Sequence, residues 1–273
     1  MTDLRTFLVA SAQGDLLPWA AQREAADRFG LTIAQVEEDA LQVDLLPLRY
    51  TRNRSTVSTA GQRRLFARRV VVVGCGGLGG YVVEELARLG VGTLDLVDPD
   101  VFEEHNLNRQ LLSTPGLLGV SKVEAGRRRV LEINPAVTVR ARQLAFTPEN
   151  GRELASGSDA VADGLDNLVT RRELAATCRE LGVPFVHGAI GGWYGQVATQ
   201  MPGDDISPLL GGLGSTGKGL ERNLGNPAFT PAVVASLQVA ELAKVLLGQG
   251  HLLSDRALMV DLRAMEFEVF RYG

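Results

Sequence analysis

The chain has little with which to build a structural metal site. Its two cysteines, Cys75 and Cys178, lie far apart and form no Cys-x-x-Cys pair, which excludes zinc held by four thiolates. Its histidines, His105, His187 and His251, are too scattered to suggest a ligand cluster. Positive charge is not in excess either. The net charge is −4 over 273 residues, so bulk electrostatics leave no footprint for nucleic acid. The amino terminus, MTDLRTFLVASAQGDLLPW, lacks a signal-peptide layout. No run reads as approaching the roughly 20 apolar residues of a membrane span. These absences lead to the expectation of a cytoplasmic protein with no membrane partner, no structural zinc and no disulfide.

What is present is an ordinary globular composition, 45% hydrophobic and 22% charged. Residues 1–48 read as a small helical region. Pro18 stands near a helix start and Gly30 just past its end. Thr32 and Gln35 are spaced as a capping box, and Leu31 and Val36 as a hydrophobic staple. Ala26, Gly30 and Val36 also fit a helix-turn-helix. However, Glu37, Glu38 and Asp39 on its second helix would repel phosphates, so a protein- or peptide-contacting unit is expected instead of a DNA reader. Residues 49–68, RYTRNRSTVSTAGQRRLFAR, read as a basic, solvated connector.

From Val70 the pattern alternates. Strands are expected near 70–74, 93–98, 137–143, 159–163 and 184–188, with helices near 78–90, 121–133 and 167–182. That order implies a mostly parallel sheet. Ser121 and Glu124 have the spacing of a capping box. Past residue 188, GQVATQ and ALMVDLRAMEFEVFRY suggest an antiparallel extension. A Gly-rich loop over 203–226 and a helix near 229–247 separate them. The fold class is therefore α/β, a Rossmann-like sheet over residues 69–273, preceded by the helical region and the connector.

Gly74, Gly76 and Gly79, with Gly77 among them, satisfy G-x-G-x-x-G between a strand and a helix. Glycines permit a tight turn, and the helix amino terminus offers unpaired N–H groups to phosphate. Asp98 ends the second strand, where an acid can bind ribose hydroxyls. The motif alone does not separate NAD from ATP. Cys75, inside the turn, reads as a small packing residue. Beyond the second strand, VDPDVFEEHNLNRQ supplies Asp98, Asp100, Asn106, Arg109 and Gln110. Lys122 opens a later helix, and Asp166–Asn167 follows the fourth strand. In an open parallel sheet, the carboxyl ends of the strands converge on one crevice. Cationic side chains there would neutralise a triphosphate, and an acid would hold Mg²⁺.

The stretches RYTRN, VVVGCGGLGG, LVDPDVFEEHNLNRQ, GVSKVEA, INP, GLDN and GAIGGWYGQV cover most of 49–200. In that order they resemble the ThiF/MoeB/HesA group, adenylating enzymes that activate ubiquitin-like and sulfur-carrier proteins. The resemblance implies that the nucleotide is ATP, held with Mg²⁺. It assigns the ribose to Asp98, phosphate contacts to Asn106, Arg109 and Lys122, and the Mg²⁺ to Asp166. It sends Arg52 across a homodimer into the second copy's site; Asn53 stands where the family usually has Gln. The implied partner is a small β-grasp sulfur carrier. Its Gly-Gly carboxylate would attack the α-phosphorus and release pyrophosphate. Gln196 would line the tail's path, with the 203–226 loop above. The chain lacks the Cys-x-x-Cys pairs of many relatives, and 195–200 holds no cysteine to receive the activated carboxylate. Adenylation is therefore implied without a thioester step. GLGSTGKG, residues 212–219, lacks the Ser/Thr that a phosphate-binding P-loop would place after Lys218. His187, Trp193 and Tyr194 read as strand or loop residues. Two other readings stay open: an enzyme of this fold acting on a peptide carboxylate or a modified tRNA, and an NAD-binding or non-catalytic Rossmann protein.

Overall fold

The computed structural model of the chain describes residues 3–211 and 224–272. The GLGSTGKG stretch, and with it half of the 203–226 segment, falls outside them.

Three short helices open the chain: α1 (Leu4–Ser11), α2 (Trp19–Phe29) and α3 (Ile33–Gln42). They close around Leu8, Leu17, Ala25 and Val36, with Leu31 packed against the same cluster. Gly30, at φ 66°, ends α2 in a left-handed cap that side chains with a Cβ adopt poorly. The Thr32–Gln35 capping box starts α3 as expected. Two short strands, β1 (Leu16–Leu17) and β2 (Leu46–Pro47), pair in parallel and tie the unit's ends together.

The connector is not the solvated linker that its charge suggested. Leu48–Asn53 form a 3-10 turn, and Thr59–Phe66 form α4. Tyr50, Val57 and Leu65 turn inward while the arginines stay at the surface. The Tyr50 hydroxyl donates to Glu37 Oε1 at 2.7 Å and accepts from Asn134 Nδ2 at 2.7 Å. Arg49 reaches Glu37, Gln22 and Asn134. Burial pushes the Glu37 carboxyl up, against the pull of Arg49. This polar knot fastens the helical unit to the main sheet. Tyr50→Phe leaves Glu37 and Asn134 each short of a partner. A loss of about 2 kcal/mol is expected, read from urea midpoints, with faster proteolysis of the first 48 residues.

An eight-stranded sheet follows, in the order β10-β9-β8-β7-β6-β3-β4-β5. Its parallel half is β3 (Arg69–Val73), β4 (Thr93–Val97), β5 (Thr138–Arg142), β6 (Ala160–Asp163) and β7 (Phe185–Gly191). Its antiparallel extension is β8 (Tyr194–Gln200), β9 (Arg256–Asp261) and β10 (Glu266–Arg271). The strand order reverses between β3 and β6, and a crevice opens outside their carboxyl ends. On one face, α5 (Gly77–Leu89), α6 (Lys122–Ile133) and α10 (Phe229–Leu247) bury the Val70 and Val72 side of β3. On the other, α7 (Pro148–Ala155), α8 (Leu168–Leu181) and the short α9 (Ser207–Gly211) bury Val71 and Val73. This alternation is why β3 reads as an unbroken valine run.

Two expectations need correction. Ser121 precedes α6 but forms no side-chain cap, and Glu124 turns away to pair with Arg127 and Arg128. The sequence shows the capping spacing but not the stronger guanidinium competitors. The expectation of no stretch near membrane-spanning length also fails. The 19-residue α10 is long and apolar enough by composition. Here it packs in the fold, with Gln238 donating to the carbonyls of Asp163 (2.9 Å) and Val186 (2.8 Å). That seat requires Gly188, where a Cβ would come within 2.6 Å of the Gln238 side chain.

Candidate active site

The glycine turn is built around close backbone contact. Gly74 adopts φ +89°, and a Cβ there would sit 2.5 Å from the Gly164 carbonyl oxygen across the β3/β6 reversal. A Cβ on Gly79 would overlap the Gly74 carbonyl. Gly79 is thus a packing glycine and does not line the crevice, whereas Gly74, Gly76 and Gly77 do. Asp98 clamps the turn: its carboxylate accepts from Cys75 N at 2.6 Å and from Asp100 N at 2.8 Å. Burial pushes this carboxyl up, against those N–H groups and Lys122. Burial also raises the Cys75 thiol well above its ordinary range, and it raises that of Cys178 to about 12. Neither is a ready nucleophile.

The turn opens into a cavity of about 600 Å³. Lys122, almost buried, projects from the first turn of α6 and pairs with the exposed Asp100 carboxylate at 2.9 Å. The bridge between Val101 and Ser121 holds these two segments side by side. Arg109 lines the cavity and donates to His105 O and Asn108 Oδ1, both at 2.9 Å. Gln110 sits over Gly76 with its buried Oε1 unpartnered. Asp166 is exposed in the cavity. Asn167 also lines it, but its Oδ1 caps α8 by accepting from Thr170 N at 2.9 Å.

The structure therefore gathers Gly74, Gly76, Gly77, Asp98, Asp100, Arg109, Gln110, Lys122, Asp166 and Asn167 around one space. Asn106 is not among them. Its buried amide oxygen accepts from Glu103 N at 2.9 Å, making it a turn-former that sets the course of the loop carrying Arg109. Arg52 is exposed and does not line its own chain's cavity. Among the wall residues that sequence reasoning missed are Phe146 and Asn226. Phe146 follows the end of β5, and the strand-end rule that located Asp98 and Asp166 points to it equally. Asn226 carried no such signal. It is brought in from before α10 and accepts Asn108 Nδ2 on its carbonyl at 3.1 Å.

The ThiF family model matches residues 50–273. The chain belongs to the ThiF family. It is 38% identical to the SAMP-activating enzyme E1 of Haloferax volcanii over 238 residues, 86% of this chain and 87% of that one. It is 37% identical to the sulfur carrier protein adenylyltransferase of Thermus thermophilus, over 75% of this chain and 79% of the relative. Against the probable adenylyltransferase/sulfurtransferase MoeZ of Mycobacterium tuberculosis, at 34% identity, the match spans only 55% of the relative. The crystal structure of E. coli MccB with ATP shares the fold, with a TM-score of 0.71 at 22% identity, covering 82% of this chain and 71% of that one. As a ThiF-family member with this cavity, the chain is an ATP-dependent adenylyltransferase. Redox and non-catalytic readings of the glycine turn are set aside.

A second, mainly apolar cavity of about 410 Å³ adjoins the first and shares Ile190 with it. Ala189, Tyr194, Gln196 and Met259 line it, and Asp261, Glu266 and Glu268 mark its edge. Behind it lies a buried polar cluster. Asp163, with no exposed surface, accepts from Arg171 Nε at 2.7 Å and lies 2.8 Å from His187 Nδ1. Burial opposes ionisation of Asp163, but Arg171 and His187 outweigh it and hold the carboxyl below its usual range. Burial and the Arg171 charge lower the His187 pKa, despite the bond to Asp163. The unfolded chain therefore takes up a proton near pH 6.5 that the native imidazole refuses. Stability is expected to fall as pH drops below about 6.5, by at most about 1.4 kcal/mol per pH unit, until the native imidazole titrates. Urea midpoints at pH 7.5 and 5.5 measure this slope, and His187→Gln should flatten it.

Proposed function

We propose that the chain adenylates the carboxy-terminal carboxylate of a small ubiquitin-like sulfur carrier, acting as a homodimer in the cytoplasm. The observation that carries this reading is a charged, glycine-floored chamber beside a mainly apolar cavity, with Ile190 in the wall of both. The second cavity offers apolar surface for an extended, small-residue tail. The relatives' names support the substrate class: one is a sulfur carrier protein adenylyltransferase and the other a SAMP-activating enzyme E1.

The carboxylate is already ionised at neutral pH, so its attack on the α-phosphorus needs no general base. Pyrophosphate leaves and an acyl-adenylate forms. The chain's contribution is position and charge. The glycine turn takes phosphate oxygens on backbone N–H groups. Lys122 and Arg109 turn from Asp100 and the His105 carbonyl to the phosphates. Asp98, held by Cys75 N, faces the ribose. Asp166 fits Mg²⁺ as one carboxylate exposed in the chamber, with phosphate and water to supply the other oxygens. The ion would add charge neutralisation at the departing pyrophosphate. Arg52 is exposed on its turn, and this reading assigns it to the second copy's chamber.

ATP–pyrophosphate exchange tests the reading. Exchange should require a purified β-grasp carrier ending in Gly-Gly. Exchange supported equally by a short peptide or a tRNA, or none with any carrier, would refute it. Sedimentation of wild type should show a dimer. Mixing inactive Arg52→Ala with inactive Lys122→Ala chains should restore about a quarter of wild-type exchange, because the mixed dimer keeps one intact site (about half the dimers, half the sites).

A further inference from the structure

Gln196 lines the second cavity beside Arg171 and Tyr194, and a buried histidine controls how its amide is presented. His187, Ala189, Gln196 and Met259 share one sheet face by the β7–β8–β9 register. The His187 ring has no exposed surface and stacks on Phe185 at 6.5 Å between centroids. It faces Asp163 from β6, Arg171 from α8 and Gln196 from β8. Asp163 and Arg171 already balance each other's charge, so a protonated ring would leave an uncompensated buried cation. A neutral ring has one N–H. Asp163, an ionised acceptor 2.8 Å from Nδ1, claims it. Nε2 is then a bare acceptor, and the atom placed 3.3 Å from it is Gln196 Oε1, a second acceptor that cannot pair with it. Only the NH₂ end of that amide can satisfy it. Amide oxygen and nitrogen are assigned from such networks, and this one orients the nitrogen inward.

We propose that His187 is a positioning residue for the acyl substrate. It holds the Gln196 amide with nitrogen toward the ring and oxygen in the groove, where the oxygen accepts a backbone N–H of the incoming tail. This rests on the carrier reading above and specifies how the groove recognises its occupant: by a peptide N–H, not by a side chain. The same cluster steadies the neighbouring chamber. Arg171 also donates to the carbonyls of Leu165 and Gly188, and Leu165 directly precedes Asp166. Tail groove and chamber therefore share one rigid wall.

Two substitutions separate positioning from packing. In His187→Asn the shorter amide can still serve Asp163 but cannot reach Gln196. In His187→Gln the amide oxygen reaches the place of Nε2 and again demands the NH₂ end. With a purified Gly-Gly carrier as probe, H187N should raise the carrier KM in pyrophosphate exchange about tenfold, the loss of one hydrogen bond, with the ATP KM unchanged. H187Q should recover at least about half of that change on a logarithmic scale. Gln196→Leu, which keeps Asp163, Arg171 and their bonds to His187 but leaves Nε2 without its amide partner, should match H187N and covers the case in which H187N does not fold. Imidazole ¹⁵N spectra at pH 7.5 should show His187 neutral with its proton on Nδ1. Equal carrier KM values for wild type, H187N and Q196L, or a proton on Nε2, would overturn the proposal. A wild type without carrier-dependent exchange would instead refute the parent reading, and the ¹⁵N spectrum would still decide the amide's orientation.

Discussion

Lys122→Ala is expected to lower carrier-dependent pyrophosphate exchange about 100- to 1,000-fold while leaving the urea midpoint nearly unchanged. The side chain is almost buried, at the amino end of α6, and its amine lies against the chamber. A cation in such a partly desolvated space stabilises developing negative charge far better than one in open water. Its present partner, Asp100, is 62% exposed, and the buried Asp98 that also feels its charge keeps the N–H groups of Cys75 and Asp100, so stability changes little. The effect should fall on kcat more than on the ATP KM, because charge on the leaving pyrophosphate grows in the transition state. Asp100→Asn should be mild by comparison, since it frees Lys122 without removing it. A Lys122→Ala enzyme within tenfold of wild type would place the chemistry elsewhere.

Gly79→Ala and Gly77→Ala are expected to fail in opposite ways. A Cβ at Gly79 overlaps the Gly74 carbonyl, backbone against backbone, so either the turn or α5 must shift. We expect a loss of about 3 kcal/mol, with ATP affinity falling only as the turn deforms. At Gly77 the nearest atom is the Pro231 Cβ at 3.7 Å, an ordinary contact. That variant should fold normally yet bind ATP poorly, because its methyl occupies the phosphate cradle. Thermal melts paired with ATP titration separate the two. Loss of stability in Gly77→Ala, or none in Gly79→Ala, would contradict the division of labour among these glycines.

Much of the site was legible because strand ends announce themselves. Asp98, Lys122 and Asp166 each follow a recognisable strand or open a recognisable helix, and parallel topology sends all of them to one edge. Asn106 misled because the motif contains it while the turn consumes its side chain. Phe146 was missed for want of a charge to draw attention to it. The connector over 49–68 misled by composition: its arginines were counted, but the inward spacing of Tyr50, Val57 and Leu65 was not. Likewise α7 escaped notice because an eight-residue helix with few apolar positions carries little periodic signal.

By itself the sequence determined the alternation of strand and helix, the glycine turn, the strand-end charges and the family's chemistry, because each is local or a matter of chain order. Only the tertiary structure decided what those residues share. It set the chamber beside the apolar groove with Ile190 lining both, and it set Asn226 against the loop after β4. It buried Asp163, Arg171 and His187 together from three separate elements. Such contacts depend on which faces meet when the sheet closes between its helices, and spacing along the chain does not encode which of two faces a distant side chain will find.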